Sequence, residues 1–327
     1  MPLPVLDLRG PGFVPALRAA ARDVGFFYLV GHGVPDALAE ALFAASRRFF
    51  ALPEPRKLAI AMANTRHFRG YTRLGDELTG GRTDWREQID FGLEVPALDV
   101  GPGDPPWRRL QGPNQWPAEV PELRDLVLRW HVALHGVAMQ VLAAFALSLG
   151  QPAGVFDSCC SGVANQFIKT IRYPGRDVAA DDQGCGAHKD SEFLTLLRQD
   201  RVGGLQVQGE GDWIDAPPLP GSFVVNTGEL LELASSGYYR ATVHRVVAPP
   251  SGVERLSLAF FLAARLDAVV PHLALTPALA AQARGVAQDP ANPLFREVGP
   301  NTLKGRLRSH PDVARRHYAD VLAAPSR

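Results

Sequence analysis

The spacing of apolar residues divides the chain into a helical first half and a β-rich second half. Apolar residues recur every three to four positions over residues 14–23 and 119–149, which is typical of amphipathic helices. A Pro-Asp start predicts a further helix over residues 35–50. Residues 4–8 and 25–30 are short runs with aromatic and β-branched residues, and they predict strands.

Beyond residue 160 the pattern changes to short β-rich runs separated by Gly and Pro. Residues 51–120 are expected to be mostly loops with one strand near residues 88–94, and after residue 271 helical spacing returns, with breaks near residues 290–305. Several short strands at regular spacing indicate a sandwich or a barrel. The runs that predict strands are residues 167–173, 193–198, 205–208, 213–214, 222–226, 243–247 and 256–262.

These patterns predict a fold of mixed α and β type with a β core. We expect residues 161–270 to form the core, residues 1–160 to form a helical and mixed region that packs on it, and residues 271–327 to form a helical tail. The segment 130–156 has no charged residue, but polar residues interrupt it and Gly150 and Pro152 end it. It therefore predicts a buried core helix rather than a membrane span.

The charge and cysteine content narrow the class of protein. Lys plus Arg and Asp plus Glu both number 34, and this balance disfavours nucleic acid or an anionic membrane as the main partner. Three cysteines, Cys159, Cys160 and Cys185, fit neither a disulfide framework nor a zinc motif. With no signal-peptide pattern in the first residues, we expect a cytoplasmic protein with a small-molecule partner. No feature fixes the oligomeric state.

Three side chains of the predicted core have the chemistry of a metal site. His188 and Asp190 flank Lys189, and alternate residues of a strand point to the same face, so both reach one ion. His244 lies in a later β-rich run. Two histidines and a carboxylate form the facial triad of non-haem Fe(II) sites, which leaves open positions on the metal. Taken alone, His244 is equally well explained as a hydrogen-bonded core histidine.

Two other histidine patterns favour structural roles. A second His-x-Asp sequence, at residues 310–312, has Pro in the middle and predicts the start of a helix. His131 and His135 share a helix face, but no Glu follows His131 as in zinc-binding helices, so a core position is favoured. Cys185 near His188 is interpreted as a small turn residue. No phosphate-binding glycine motif is present.

The sequence Arg255-Leu256-Ser257 has the chemistry of a carboxylate clamp. Arg255 and Ser257 share one face of a predicted strand, and a guanidinium binds a carboxylate through two parallel hydrogen bonds. An arginine facing the inside of a β core requires an anion, because an unpaired buried charge is costly. Without the nearby triad, an ordinary surface arginine would be the better interpretation.

These motifs resemble the isopenicillin N synthase-like family of Fe(II)- and 2-oxoglutarate-dependent oxygenases. The resemblance is carried by residues 186–190, 194–200, 202–207, 213–215, 220–229, 239–247 and 255–257, and by the N-terminal segments 23–34, 68–71 and 84–87. It implies a double-stranded β-helix, or jelly roll, flanked by N-terminal and C-terminal helices. The implied iron ligands are His188, Asp190 and His244.

The resemblance also implies a cosubstrate site. Arg255 and Ser257 would hold the C5 carboxylate of 2-oxoglutarate, and Tyr173 would hydrogen-bond the same molecule. Two positions depart from many plant members, which carry Thr in place of Lys189 and Asn in place of Ile171. The second departure weakens the expectation for Tyr173.

The implied activity is that of an Fe(II)/2-oxoglutarate-dependent dioxygenase that uses O2 to oxidise a small-molecule C–H bond, with hydroxylation, desaturation and cyclisation as possible outcomes. Ala-, Arg- and Pro-rich usage favours a bacterial origin and a role in secondary metabolism. One alternative is an Fe(II) oxidase of the same fold that needs no 2-oxoglutarate, and another is a non-catalytic jelly-roll binding module. Arg69 is expected to hold a substrate carboxylate. The candidate substrate-binding residues are Phe68, Arg69, Gln88, Phe167, Phe193 and Phe261.

Overall fold

The computed structural model describes residues 2–177, 183–286 and 292–323. The described strands are β1 (Val5–Asp7), β2 (Phe26–Val30), β3 (Gly70–Thr72), β4 (Leu78–Thr79), β5 (Arg82–Thr83), β6 (Glu87–Gly92), β7 (Phe167–Pro174), β8 (Gln183–His188), β9 (Leu194–Gln199), β10 (Leu205–Gln208), β11 (Trp213–Asp215), β12 (Phe223–Thr227), β13 (His244–Val247) and β14 (Glu254–Leu262). The described helices are α1 (Phe13–Asp23), α2 (Asp36–Phe50), α3 (Glu54–Leu58), α4 (Glu122–Ser148), α5 (Asp157–Cys160), α6 (Glu229–Ala234), α7 (Pro277–Ala280), α8 (Val298–Ser309), α9 (Pro311–His317) and α10 (Ala319–Leu322).

Two sheets form the walls of the β core. The larger sheet has eight strands in the order β1-β2-β12-β9-β14-β7-β6-β3, and the smaller has four in the order β11-β10-β13-β8. Buried apolar side chains from both sheets form one cluster, with Tyr28 and Ile171 from the larger sheet and Leu205, Val207 and Val246 from the smaller. This arrangement is the predicted jelly roll, and it encloses the space in which the site is found.

Helices cover the outer face of the larger sheet. Helix α4 contacts α1, α2, β9 and β14, and its fully buried Trp130 packs against Phe223. Among the described residues, only α4 is long and apolar enough to cross a membrane by length and composition. Because its apolar side chains lie in the main hydrophobic cluster, it is the core helix that the sequence predicts.

The register of the larger sheet places a row of inward-facing side chains across five strands. Gly92 of β6 pairs with Phe167 of β7, which pairs with Phe261 of β14, then Thr195 of β9 and Asn226 of β12. Alternate residues of a strand share a face, so the inward face of β7 carries every second residue from Phe167 to Tyr173. The row of five paired residues, from Asn226 to Gly92, therefore runs from the metal-site region to β6, next to the edge strand β3.

Most predicted elements are present within two residues of their expected ends, including all seven strands predicted beyond residue 160, whereas β8 was not predicted. The region 51–120, expected to be mostly loops, contains α3 and the strands β3 to β6. Helix α8 runs through part of the segment where breaks were predicted; Pro300 lies in its first turn, where its missing N–H removes no helical hydrogen bond. Residues 287–291 lie outside the described residues.

The larger sheet draws strands from both halves of the chain. β1, β2, β3 and β6 come from residues 1–160, and they continue the sheet formed by β7, β9, β12 and β14. The N-terminal region thus completes the wall of the core as well as packing on it. The division of the chain at residues 160 and 270 stays a prediction.

Candidate metal centre and cosubstrate site

The structure brings His188, Asp190 and His244 together between the two sheets. His188 ends β8 and His244 begins β13, and the two residues pair directly across the antiparallel strands. One ligand atom from each of the three residues lies within 4.8 Å of the others. The Asp190 Oδ1 atom is 3.5 Å from His188 Nε2 and 3.6 Å from His244 Nε2. Within the described ranges, no other group of His, Cys, Asp or Glu residues is placed to hold an ion.

The route by which Asp190 reaches this site differs from the prediction. The expected strand geometry was wrong, because β8 ends at His188 and Asp190 lies in the following loop. The Glu229 backbone N–H at the start of α6 donates to the Asp190 carbonyl at 2.8 Å, which holds the loop in place. Cys185, interpreted as a small turn residue, lies within β8.

Backbone carbonyls fix the orientation of both histidine rings. His188 Nδ1 lies 2.8 Å from the Gly186 carbonyl oxygen, and His244 Nδ1 lies 3.2 Å from that of Thr242. A carbonyl oxygen only accepts hydrogen bonds, so Nδ1 carries the proton in each ring. Nε2 is then the free donor atom toward a metal, as in protein metal sites where the second nitrogen is held by an outer partner.

Hydrogen bonds also divide the two oxygens of the Asp190 carboxylate. Oδ2 accepts from Asn226 Nδ2 at 2.8 Å and from the Thr195 hydroxyl. Oδ1 faces the two histidine nitrogens. One oxygen is therefore used for positioning, and the other is left as a ligand atom.

The electrostatics of the cluster suit a cation. Burial by itself would raise the pKa of Asp190, but the His244 and His188 rings and the Thr195 hydroxyl hold that pKa well below its usual range. Burial, followed by the neighbouring His188, lowers the pKa of His244 to about 4. The carboxylate is thus ionised and His244 is neutral near pH 7, which are the forms that bind metal. Burial by itself would lower the pKa of His188, but Cys185 and Asp190 raise it well above its usual range, so a metal that binds there displaces a proton. Two imidazoles and one carboxylate fit Fe(II).

Arg255 is a buried cation without an acidic partner. Its side chain is fully buried in the core, with Nη2 donating to Gln199 Oε1 at 3.0 Å and Nη1 to Ser257 Oγ at 3.5 Å. The guanidinium lies 4.8 Å from the centre of the Tyr173 ring, and its Nε atom has no acceptor. No carboxylate of the described ranges lies within ion-pair distance of Arg255. A charge buried in this way requires an anion, and a carboxylate ligand supplies one.

Two neighbouring spaces, which share part of their lining, adjoin the cluster. A cavity of about 60 Å³ is lined by the three candidate metal ligands together with Arg255, Ser257 and Tyr173. A larger cavity of about 300 Å³ shares His188, Asp190 and Phe261 with the first and is also lined by Phe167. The predicted cosubstrate residues thus face the same space as the triad, and two of the predicted substrate residues line the neighbouring space.

The other predicted substrate residues lie elsewhere. Phe68, with a left-handed backbone at φ 54°, packs on Tyr318 in a separate cluster, and Phe193 packs against Phe156 in the main core. Gln88 is buried, donates to Asp90, and lines none of the cavities described. Arg69 lines a third cavity, which shares no lining residue with the two spaces beside the metal-ligand cluster. Local sequence did not predict these side-chain directions, because Phe68, Arg69 and Phe193 lie just outside strands.

Sequence reasoning missed several residues of the site. Lys169 lies two positions before Ile171 on the inward face of β7, and strand alternation alone would have found it. Thr195 and Asn226 are polar residues at inward positions of apolar strands, which also marks them. Glu192 and Arg306 reach the larger cavity from a loop and from α8, and no local pattern signals that approach.

Comparisons with known proteins agree with this geometry. Residues 3–119 match the family model of the non-haem dioxygenase in morphine synthesis N-terminal domain, and residues 161–264 match that of the 2OG-Fe(II) oxygenase superfamily. The chain is 35% identical to the 2-oxoglutarate-dependent dioxygenase frbJ of Dothideomycetidae sp. (strain 11243), over 98% of this chain and 94% of that protein. It is 37% identical to a homoarginine-6-hydroxylase of Glycine max, over 80% of each chain.

Solved structures show the same fold. A full-length protein of Neurospora crassa, crystallised in complex with alpha-KG and 5-formyluracil, superposes with a TM-score of 0.73 at 25% identity, covering 94% of this chain and 96% of that one. A protein described as of the 2OG-Fe(II) oxygenase family from Caulobacter crescentus superposes with a TM-score of 0.74 at 29% identity, covering 94% and 98%. The chain therefore belongs to the 2-oxoglutarate-dependent dioxygenases of the isopenicillin N synthase-like superfamily, enzymes that use Fe(II), 2-oxoglutarate and O2.

Proposed function

We propose that this dioxygenase hydroxylates a basic amino acid or a closely related cationic small molecule. His188, Asp190 and His244 would hold Fe(II), and Arg255 with Ser257 would hold the C5 carboxylate of 2-oxoglutarate. The observation that carries the assignment is that an open metal-ligand cluster and an unpaired buried guanidinium line one cavity.

One buried carboxylate of the larger cavity, that of Glu192, supports a cationic substrate. Lys169 is paired with Glu77 at 2.9 Å, and Arg306 is paired with Asp90 at 2.8 Å. Glu192 is also buried; it accepts from the Ser191 hydroxyl and forms no ion pair with a cation in the described part of the chain. Burial, and then the neighbouring Asp190, raise the pKa of Glu192 to about 7, and an amino or guanidino group entering the cavity would stabilise its ionised form by pairing with it.

The names of relatives support the same class. Four relatives, from Glycine max, Arabidopsis thaliana and Oryza sativa subsp. japonica, are named homoarginine-6-hydroxylases and are 36–37% identical to this chain. Homoarginine carries a guanidinium group, and hydroxylation at carbon 6 occurs next to it. A substrate cation held by Glu192, two residues beyond Asp190, would place a neighbouring carbon near the metal ligands.

When bound, Fe(II) with 2-oxoglutarate and O2 supplies the oxidising power that breaks a substrate C–H bond. The chain's own residues orient the parts. The Gly186 and Thr242 carbonyls fix the two imidazole rings, and Asn226 fixes the carboxylate. Phe167 and Phe261, stacked with ring centres 4.3 Å apart, form an apolar wall that excludes water beside the reacting carbon.

The test begins without substrate. Metal-free protein mixed anaerobically with Fe(II) and 2-oxoglutarate should develop a visible charge-transfer band that His188→Ala abolishes. Iron binding without the band would favour an oxidase that does not use 2-oxoglutarate, and failure to bind iron would refute the assigned metal site.

The substrate class is tested by measuring succinate release with homoarginine, arginine and lysine. Norleucine, an amino acid with an uncharged side chain, serves as the control. Turnover of the basic amino acids, lost with Glu192→Gln while the charge-transfer band remains, supports the proposal. Turnover of norleucine at the same rate contradicts it.

A further inference from the structure

Arg69 is a second buried arginine without an acidic partner, and it lies away from the metal centre. It immediately precedes β3, and its side chain is 6% exposed. The guanidinium packs on Gly92, where a Cβ atom would lie 2.2 Å from Nη2. The absence of a side chain at Gly92 therefore creates the space that the guanidinium occupies.

The guanidinium of Arg69 has no direct acidic partner among the described residues. Its Nε atom is buried without an acceptor, and no hydrogen bond or ion pair joins its side chain to any residue within 2–177, 183–286 or 292–323. Burial, and then repulsion by Arg306, lower its pKa to about 10 against the weaker attraction of Asp90, which leaves it charged near pH 7. Other buried cations, such as Lys57 and Arg86, have a carboxylate partner at 2.7 and 3.0 Å. The exception is Arg255, at the proposed cosubstrate site.

Arg69 lines a cavity of about 390 Å³, a size typical of small-molecule sites. Two further arginines line this cavity, but both are already paired: Arg108 with Asp104 at 2.9 Å and Arg265 with Asp267 at 2.7 Å. The remaining wall is largely apolar, with two amides and the Asp267 carboxylate that Arg265 pairs with. The apolar and amide lining residues are Leu93, Val95, Leu98, Pro105, Trp107, Gln111, Gly112, Val163, Ala164, Asn165 and Leu266.

This cavity is separate from the metal centre. It shares no lining residue with either space at the triad. Gly92 and Thr195 are three strands apart in the paired row, which corresponds to about 14 Å at the usual strand spacing. The Phe167 ring lies between them in that row, with the Arg306 guanidinium 4.4 Å from its centre.

We propose that this cavity is a second small-molecule site, which binds a monocarboxylate with an apolar body and places the carboxylate on Arg69. The guanidinium matches a carboxylate in charge and geometry. The aliphatic wall and Trp107 suit an apolar or aromatic body. A bound carboxylate would also offset the repulsion between Arg69 and Arg306, and Arg306 lines the larger cavity at the metal centre.

The experiment measures binding of 3-phenylpropionate and of its neutral amide to the full-length protein, by calorimetry and by the shift in melting temperature. The measurement is made with and without Fe(II) and 2-oxoglutarate under anaerobic conditions. We expect the acid to bind at least about tenfold more tightly than the amide, because charge-assisted hydrogen bonds are stronger than neutral ones. We expect its affinity to be unchanged when Fe(II) and 2-oxoglutarate are present.

Two variants assign the site, and one serves as the control. Arg69→Gln should weaken binding of the acid by about tenfold or more. Gly92→Ala should weaken it similarly with the charge retained, because the new methyl group displaces the guanidinium. Arg108→Gln removes an arginine of the same cavity that is already paired and partly exposed, and it should leave the affinity within about twofold.

Three outcomes would overturn the proposal. The first is no binding of acetate, butyrate, phenylacetate or 3-phenylpropionate at concentrations up to about 10 mM, well above a millimolar Kd. The second is equal binding of acid and amide, or full affinity in both Arg69→Gln and Gly92→Ala. The third is displacement of the acid by 2-oxoglutarate with Fe(II), which would place the acid in the metal cavity. None of these results bears on the charge-transfer band that tests the proposed function.

Discussion

Replacing Arg255 with methionine separates its role in folding from its role in binding. In the ligand-free protein the guanidinium is fully buried and has only neutral partners, Gln199, Ser257 and the Tyr173 ring. Desolvation of an unpaired charge costs several kcal/mol, whereas each neutral partner returns about 1 kcal/mol. Arg255→Met should therefore change the free energy of unfolding of the ligand-free protein by less than about 2 kcal/mol.

The same substitution should have a large effect on the cosubstrate. Two charge-assisted hydrogen bonds to a carboxylate contribute about 3–5 kcal/mol when the pair is buried. The Kd for 2-oxoglutarate should then rise by about 150-fold to 5,000-fold. The assay is an anaerobic titration of the Fe(II)-loaded protein with 2-oxoglutarate, followed by the visible band, beside urea unfolding of the ligand-free protein.

Arg172 provides a matched control on the opposite face of β7. Its guanidinium is paired with Glu87 at 2.6 Å and with Glu254 at 2.5 Å, and it is 28% exposed. Arg172→Met should lower the unfolding free energy by about 1 kcal/mol, with no change in the Kd for 2-oxoglutarate. The reasoning is refuted if Arg255→Met strongly destabilises the ligand-free protein while the affinity for 2-oxoglutarate stays at the wild-type value.

Three further predictions concern metal, cosubstrate and pH. Asn226→Leu removes a hydrogen bond to the Asp190 carboxylate and should weaken Fe(II) binding by about 10-fold to 100-fold in a competitive chelator titration; unchanged affinity would show that Thr195 positions Asp190 alone. Tyr173→Phe should raise the Kd for 2-oxoglutarate by about tenfold if the hydroxyl contacts it, and an unchanged Kd would remove Tyr173 from the cosubstrate site. Burial lowers the pKa of His310 to about 4. The unfolded chain therefore takes up the extra proton, and His310 alone should lower the free energy of unfolding by up to about 3 kcal/mol as the pH drops from about 6.5 to 4. In the His310→Asn variant, the urea midpoint should fall less steeply as the pH drops over that window. An unchanged dependence of the midpoint on pH would contradict this.

The sequence alone predicted the regular elements and the candidate site residues whose chemistry is distinctive. Seven of the eight strands beyond residue 160, the helix start at residues 310–312 and the core helix over residues 122–148 follow from periodicity and breakers. The triad and the Arg255-x-Ser257 pair were predictable as candidates, because their residue types have few uses inside a β core. Their roles as metal and cosubstrate ligands stay predictions that the experiments above test.

Only the tertiary structure decided which of these side chains meet, and what lies beside them. Asp190 reaches the histidines from a loop fixed by α6, Phe68 and Phe193 turn into hydrophobic clusters, and Arg69 faces a cavity that is separate from the metal centre. In each case the direction of the side chain depends on a partner distant in sequence. Periodicity assigns a face only within a regular strand or helix, and these residues lie beyond the ends of their strands.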